Sequence, residues 1–238
     1  MKIIKIPLTI AILLIPTYSF GSDDNKVTEK VFEPASFTQS TSSLQNRIKF
    51  PKYIAKSKED RNVVIRCDVL VDRSGKLSEN ICFNAQKANR LYGVEIDRAA
   101  AGARIKAATI SGTSRRVMFQ YFVMFQKKGK STLVEVFPNS GLQVQDYGPN
   151  YTSAQRYREN HSNWGAGCGF KTKVTIRAII DKKGAILNAI AESENAEEKC
   201  KEYMLKGFLK GEFIPAFKNG LAVDSFYEEE ISDGLVAR

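Results

Sequence analysis

A pattern that occurs twice does most to limit the folds open to this chain. Residues 63–77 read Val-Val-Ile-Arg-Cys-Asp-Val-Leu-Val-Asp-Arg-Ser-Gly-Lys-Leu, and residues 171–186 read Lys-Thr-Lys-Val-Thr-Ile-Arg-Ala-Ile-Ile-Asp-Lys-Lys-Gly-Ala-Ile. In both, an alternating run of β-branched and small residues ends at Asp-x-x-Gly, the sequence of a strand entering a tight turn and coming back. Asp72 and Asp181 hold equivalent places and can close the turn through their own carboxylates, while Gly75 and Gly184 can supply the positive φ at its exit. A duplicated hairpin within 238 residues predicts two similar units of about 100 residues each.

The surroundings of each hairpin extend the pattern. In the first strand Val63, Ile65, Cys67, Val69 and Val71 share one face, with Arg66 and Asp68 on the other, so one side is core and the other wet. Residues 94–108 are rich in helix formers, with Ile96, Ala100, Ala103 and Ala107 at helical spacing, and predict a helix over the apolar face. Residues 116–125 alternate again as a third strand, and 132–137 add a fourth. In the second half the spacing predicts a short helix over 152–160, a longer one over 197–211 and a last strand over 221–231. The expected fold class is α+β: two tandem units, each a three-stranded antiparallel sheet packed on one helix in the order β-β-α-β. Their bounds are 47–137 and 147–238, with a linker at 138–146. Residues 22–46, polar and without a sustained period, read as a flexible leader.

The chain starts with Lys2 and Lys5, a short apolar run and Ser19-Phe20-Gly21, which predicts a cleavable signal peptide at 1–21 and a periplasmic destination. The apolar run is shorter than the roughly 20 residues of a membrane span, so no span is expected after processing. The formal charge is +10. In an exported chain this excludes nucleic acid and points to anionic lipid, cell-wall polymer, an acidic protein surface, or simple solubility. Four cysteines in that compartment predict disulfides, with three connectivities open. The first turn sets Cys67 nearly opposite Cys82, and Cys168 and Cys200 flank the second hairpin, so one bridge per unit is expected: Cys67 with Cys82 and Cys168 with Cys200.

Several patches of the chain resemble the C-terminal domain of TonB-type energy transducers. Ile96-Asp97-Arg98-Ala99-Ala100 is similar to that family's Leu-Asp-Arg-Ala-Ala, and Phe50-Pro51-Lys52-Tyr53 to its Pro-x-Tyr-Pro, with Ile54 in place of the second proline. The run from Phe213 to Val223, Phe-Ile-Pro-Ala-Phe-Lys-Asn-Gly-Leu-Ala-Val, resembles Phe-x-Pro-Ala-x-x-Asn-Gly-x-Pro-Val and is the strongest match. Each unit lacks what the other keeps: residues 109–113 carry no Phe-x-Pro-Ala, and 200–204 have lost Asp-Arg-Ala-Ala. The family's histidine-bearing anchor and proline-rich spacer have no counterpart, since the one histidine is His161 and the seven prolines are scattered. What the resemblance implies is strand addition at a sheet edge, where backbone pairing supplies affinity and alternate side chains supply selectivity. The candidate partner-binding edges are Val117, Phe119, Tyr121 and Val123 in one strand and Val223, Ser225 and Tyr227 in the other.

Chemistry is not expected. A catalytic set needs a nucleophile, a base and an orienting group together, and a single histidine leaves little choice. Zinc held by His161, Cys168 and Cys200 lacks the usual paired spacing, and no glycine-rich phosphate loop is present. The expectation is a non-enzymatic protein-binding module without cofactor or metal, whose partner is a protein of the cell envelope, with peptidoglycan or an anionic surface as the other candidates. The alternatives are an immunity or inhibitor protein against an envelope-acting toxin, or an accessory of a TonB-type system.

Overall fold

The computed structural model describes residues 30–83, 89–139, 141–148, 150–157, 168 and 172–232. The expected signal peptide, His161 and Trp164 lie outside them. The first half runs β1 (Phe32–Glu33), α1 (Leu44–Arg47), α2 (Lys52–Ala55), β2 (Arg61–Val71), β3 (Leu77–Phe83), α3 (Arg90–Ala100), β4 (Ala108–Ile110), β5 (Thr113–Arg115), β6 (Val117–Lys128) and β7 (Ser131–Phe137). It continues with α4 (Gly141–Tyr147), β8 (Tyr151–Thr152), β9 (Gln155–Tyr157), β10 (Lys173–Ile180), β11 (Ile186–Glu192) and α5 (Glu198–Phe208). The last elements are β12 (Glu212–Ile214), β13 (Ala216–Lys218), β14 (Leu221–Val223) and β15 (Ser225–Ser232). The class is α+β, with antiparallel pairing throughout the described strands.

A six-stranded sheet is ordered β12-β9-β6-β2-β3, with β7 also on β6, and a three-stranded sheet is ordered β11-β10-β15. Two small sheets, β1-β4-β5 and β14-β13-β8, complete the set. Alternation in β2 sends Ile65, Cys67, Val69 and Val71 into a core shared with Tyr92 and Ile96 of α3 and with Phe119, Tyr121, Val123 and Phe125 of β6. A second core joins Val174, Ile176, Ala178 and Ile180 of β10 to Met204 and Phe208 of α5 and Tyr227 and Ile231 of β15.

Both Asp-x-x-Gly turns close as their residues dictate. The Asp72 carboxylate accepts from the Ser74 and Lys76 amides at 2.7 and 2.9 Å. That of Asp181 accepts from Lys183 and Ala185 at 2.8 and 2.7 Å. Gly75 and Gly184 have φ of 79° and 80°. A Cβ there would lie 2.0 Å from the Ile105 carbonyl oxygen and 2.1 Å from that of Phe213, so each turn is pressed against the segment leaving the following helix.

Several boundaries differ from the sequence expectation. Residues 30–46 are not a loose leader: β1 pairs β4, Ala35 and Leu44 are fully buried, and the Gln155 side chain both accepts from the Ala35 amide and donates to its carbonyl, each at 2.8 Å. The apolar residues that anchor this segment are spaced too irregularly to show a period. Helix α3 starts at Arg90 and stops at Ala100, because Gly102 turns the chain at φ 81° and Ile105 then donates to the Gly75 carbonyl at 2.9 Å. Part of the expected linker is helical, as α4. In the described part of the expected helix over 152–160, Gln155–Tyr157 form β9, which extends the six-stranded sheet beyond β6, while 158–160 lie outside the described residues; the final strand breaks at Asp224 into β14 and β15.

Candidate functional site: strand edges and a charged seam

The disulfides are Cys67–Cys82, with Cα atoms 4.1 Å apart, and Cys168–Cys200, at 5.3 Å. Register explains the first, since Cys67 and Cys82 are direct partners in the β2–β3 ladder. The second ties the start of α5 to the residues ahead of β10.

The strand placed first as a partner-binding edge is not one. β6 pairs β2 along Val117–Lys127, and its other side carries β7 from Phe122 to Lys128 and β9 at Val117. Val117, Phe119, Tyr121 and Val123 are buried in the core. Burial comes first in pushing the Tyr121 phenol well up from its usual range, and Asp97 adds to it. The physical reason is the β6–β7 hairpin: Gly129, at φ 59°, folds the chain back so that it covers its own edge.

The second placed edge is partly closed. Val223 belongs to β14, while Ser225 and Tyr227 in β15 are buried and face the second core. β15 ends its sheet, yet its outward-facing Glu228 carbonyl already accepts from Gln120 Nε2 at 2.6 Å and from Arg66 Nη2 at 3.4 Å. An incoming strand would have to displace both.

Those bonds belong to a seam of alternating charge between the two larger sheets. Asp68 and Arg66 of β2 are 3.3 Å apart, Arg66 reaches Glu228 at 3.2 Å, Arg177 reaches Glu228 at 2.9 Å, and Arg177 also pairs with Glu192. Cross-strand register builds the last steps, since Glu228 lies opposite Arg177 on one side and Glu192, opposite Thr175, is its diagonal neighbour on the other. Asp68 is buried on the face predicted to be wet, and desolvation pushes its carboxyl up to about 6, with Glu229 and Glu230 adding to the rise and Arg66 offsetting part of it. Deeper in, Arg156 of β9 and Glu229 of β15 form a two-pronged pair at 2.8 and 2.5 Å, and Tyr227 Oη donates to Glu229 at 3.1 Å. Both charged side chains are almost fully buried. No local sequence signal marks this pair, because its members lie 73 residues apart in the chain.

The described strands that end a sheet are then β3, β7, β11, β12, β14, β15 and the minor strands β1, β5 and β8. β3 is a poor template: Glu79 has φ 50°, and Glu79 and Asn80 are held by Arg116 and Asp97. β12 and β14 are short. β11 has neither charge nor proline from Ile186 to Ala191, and its Leu187 and Ile190 are 61% and 47% exposed. Register puts Ile190, Ile179 and Phe226 on one outer face of this sheet, all three exposed, next to the charged seam. Among the described residues no three or more His, Cys, Asp or Glu side chains could hold a metal ion, and no helix is long and apolar enough to cross a membrane. Comparisons with protein-family models, curated proteins and solved structures find no match to this chain.

Proposed function

We propose that this chain is an exported, periplasmic, non-enzymatic module built of two tandem β-β-α-β units that resemble the TonB C-terminal domain, and that it recognises an envelope protein by strand addition at β11. The two-unit reading rests on the recurrence of hairpin, helix and strand. β2, β3, α3 and β6 have their counterparts in β10, β11, α5 and β15, with the first hairpin strand between the other two in each sheet. Each hairpin turn also presses its glycine against a carbonyl of the segment that follows the helix.

One observation carries the binding mode: β11 ends its sheet with an edge that is uncharged from Ile186 to Ala191 and lies beside exposed apolar side chains, a combination that sheet proteins otherwise guard against. A strand laid there gains backbone pairing from the edge and selectivity from Leu187 and Ile190. The test is capture from envelope extract with the full chain and with Leu187→Lys/Ile190→Lys, two exposed positions whose change leaves the cores intact. The wild type is expected to retain one protein in near-stoichiometric amount and the double variant to lose it. Recovery of peptidoglycan alone would replace this reading with wall binding. The immunity reading shares the same surface and predicts that the captured protein is a toxin whose activity the chain suppresses.

A further inference from the structure

We infer that the groove between residues 46–53 and α3 is a second docking site, distinct from β11, for an acidic and partly apolar segment of a protein partner. The groove measures about 780 Å³. Its lining includes Tyr53, Leu91, Val94, Phe50 and Pro51. Tyr53 is 82% exposed, the highest value among the exposed large hydrophobic side chains, and Leu91 and Val94 are close to half exposed on successive turns of α3.

The charges around these apolar groups are unbalanced. Arg47 donates to the Ala99 and Ala101 carbonyls at 3.0 and 3.2 Å and is committed to the end of α3. Arg98 holds both oxygens of Glu95 at 2.8 Å. Lys49 and Lys52 are exposed on the same groove and have no ion pair among the described residues. Two uncompensated ammonium groups beside an apolar slot select a ligand that offers carboxylates and apolar side chains together, and the chain's net positive charge steers it in. Concavity decides between a protein segment and a membrane: a cavity of about 780 Å³ lined by residues 46–53 and by α3 can take in the side chains of a segment, whereas a flat bilayer meets only the rim.

The experiment pans a random peptide library displayed on phage against the immobilised full chain, then measures the selected peptides in solution by fluorescence anisotropy. Vesicles of phosphatidylcholine and phosphatidylglycerol, 7:3, are run in parallel as a sedimentation assay. Peptides rich in Glu or Asp with apolar residues at helical spacing are expected, weakened at least tenfold by Lys49→Glu/Lys52→Glu and by Tyr53→Ser, and unaffected by Leu187→Lys/Ile190→Lys. Circular dichroism and thermal melts of each variant check that the fold is kept. Selection without acidic enrichment, equal binding to the charge-reversed variant, or vesicle binding lost through these same groove substitutions would each overturn the inference.

Discussion

Replacing Arg156 by Met removes the cation that neutralises Glu229 in a site from which water is excluded. The two side chains are 1% and 4% exposed, and the pair is closed by two parallel hydrogen bonds, so neither partner can turn to solvent when the other is lost. The Tyr227 hydroxyl, donating to Glu229 at 3.1 Å, is a neutral donor and does not replace the charge of the lost guanidinium. Breaking a buried pair from one side costs about 3–5 kcal/mol, whereas exchanging both members for apolar residues of similar volume is often near neutral. Arg156→Met and Glu229→Leu should therefore each lower stability by about that amount. With a urea slope of about 2 kcal/mol/M, each midpoint moves down by roughly 1.5–2.5 M. The double variant should recover most of the loss, because no charge is left buried and Met can lie along the Phe208 ring over which the guanidinium sits at 6.0 Å. The assay is urea unfolding followed by tryptophan fluorescence and circular dichroism for all four members of the cycle. Single losses below about 1 kcal/mol, or a double variant whose loss is the sum of the singles, would refute the assignment of the pair as buried and coupled.

Three further outcomes follow from the geometry. Asp68 has its folded-state carboxyl raised to about 6 from 3.8, so the stability it contributes is present at low pH and is lost as pH rises through about 6. Asp68→Asn should then gain on the wild type between pH 4 and pH 7 by at most about 3 kcal/mol, and a constant difference across that range in pH-dependent urea melts would contradict this. Gly184→Ala puts a Cβ 2.1 Å from a carbonyl oxygen at φ +80° and should cost more than about 2 kcal/mol. Gly112→Ala, at φ +77° with nothing within 4 Å, should show only the strain of about 1–2 kcal/mol, and equal losses would mean that the close approach at Gly184 does not matter. Reduction of both disulfides should lower the melting temperature, and Cys67→Ala/Cys82→Ala should reproduce its own share, about 2–4 kcal/mol for a bridge closing a loop of this size.

The hairpins were readable because their determinants are local: an alternating run, an Asp that bonds amides two and four residues on, and a glycine with positive φ. The Cys67–Cys82 bridge followed from the register of the first hairpin. What sequence could not show is decided at long range. Gln155-Arg156-Tyr157 is too short to reveal a strand period, and it becomes one only because β6 and β12 lie on either side of it. β6 looked like an edge because nothing in its own residues says that β7 folds back along it. Asp68 alternates with the core residues of β2 and was placed in water, yet β15 and its acidic residues approach from the other sheet and bury it. The apolar edge of β11 was present in the sequence as Ile-Leu-Asn-Ala-Ile-Ala, but its exposure depends on α5 packing against the opposite face.

The most direct test of recognition at β11 is hydrogen–deuterium exchange of the full chain with and without the captured envelope protein. Strand addition predicts slowed exchange concentrated in the amides of Ile186–Glu192, because outward-pointing N–H groups acquire carbonyl partners. Unchanged exchange in β11, with protection confined to β7 or to other surfaces, would contradict it.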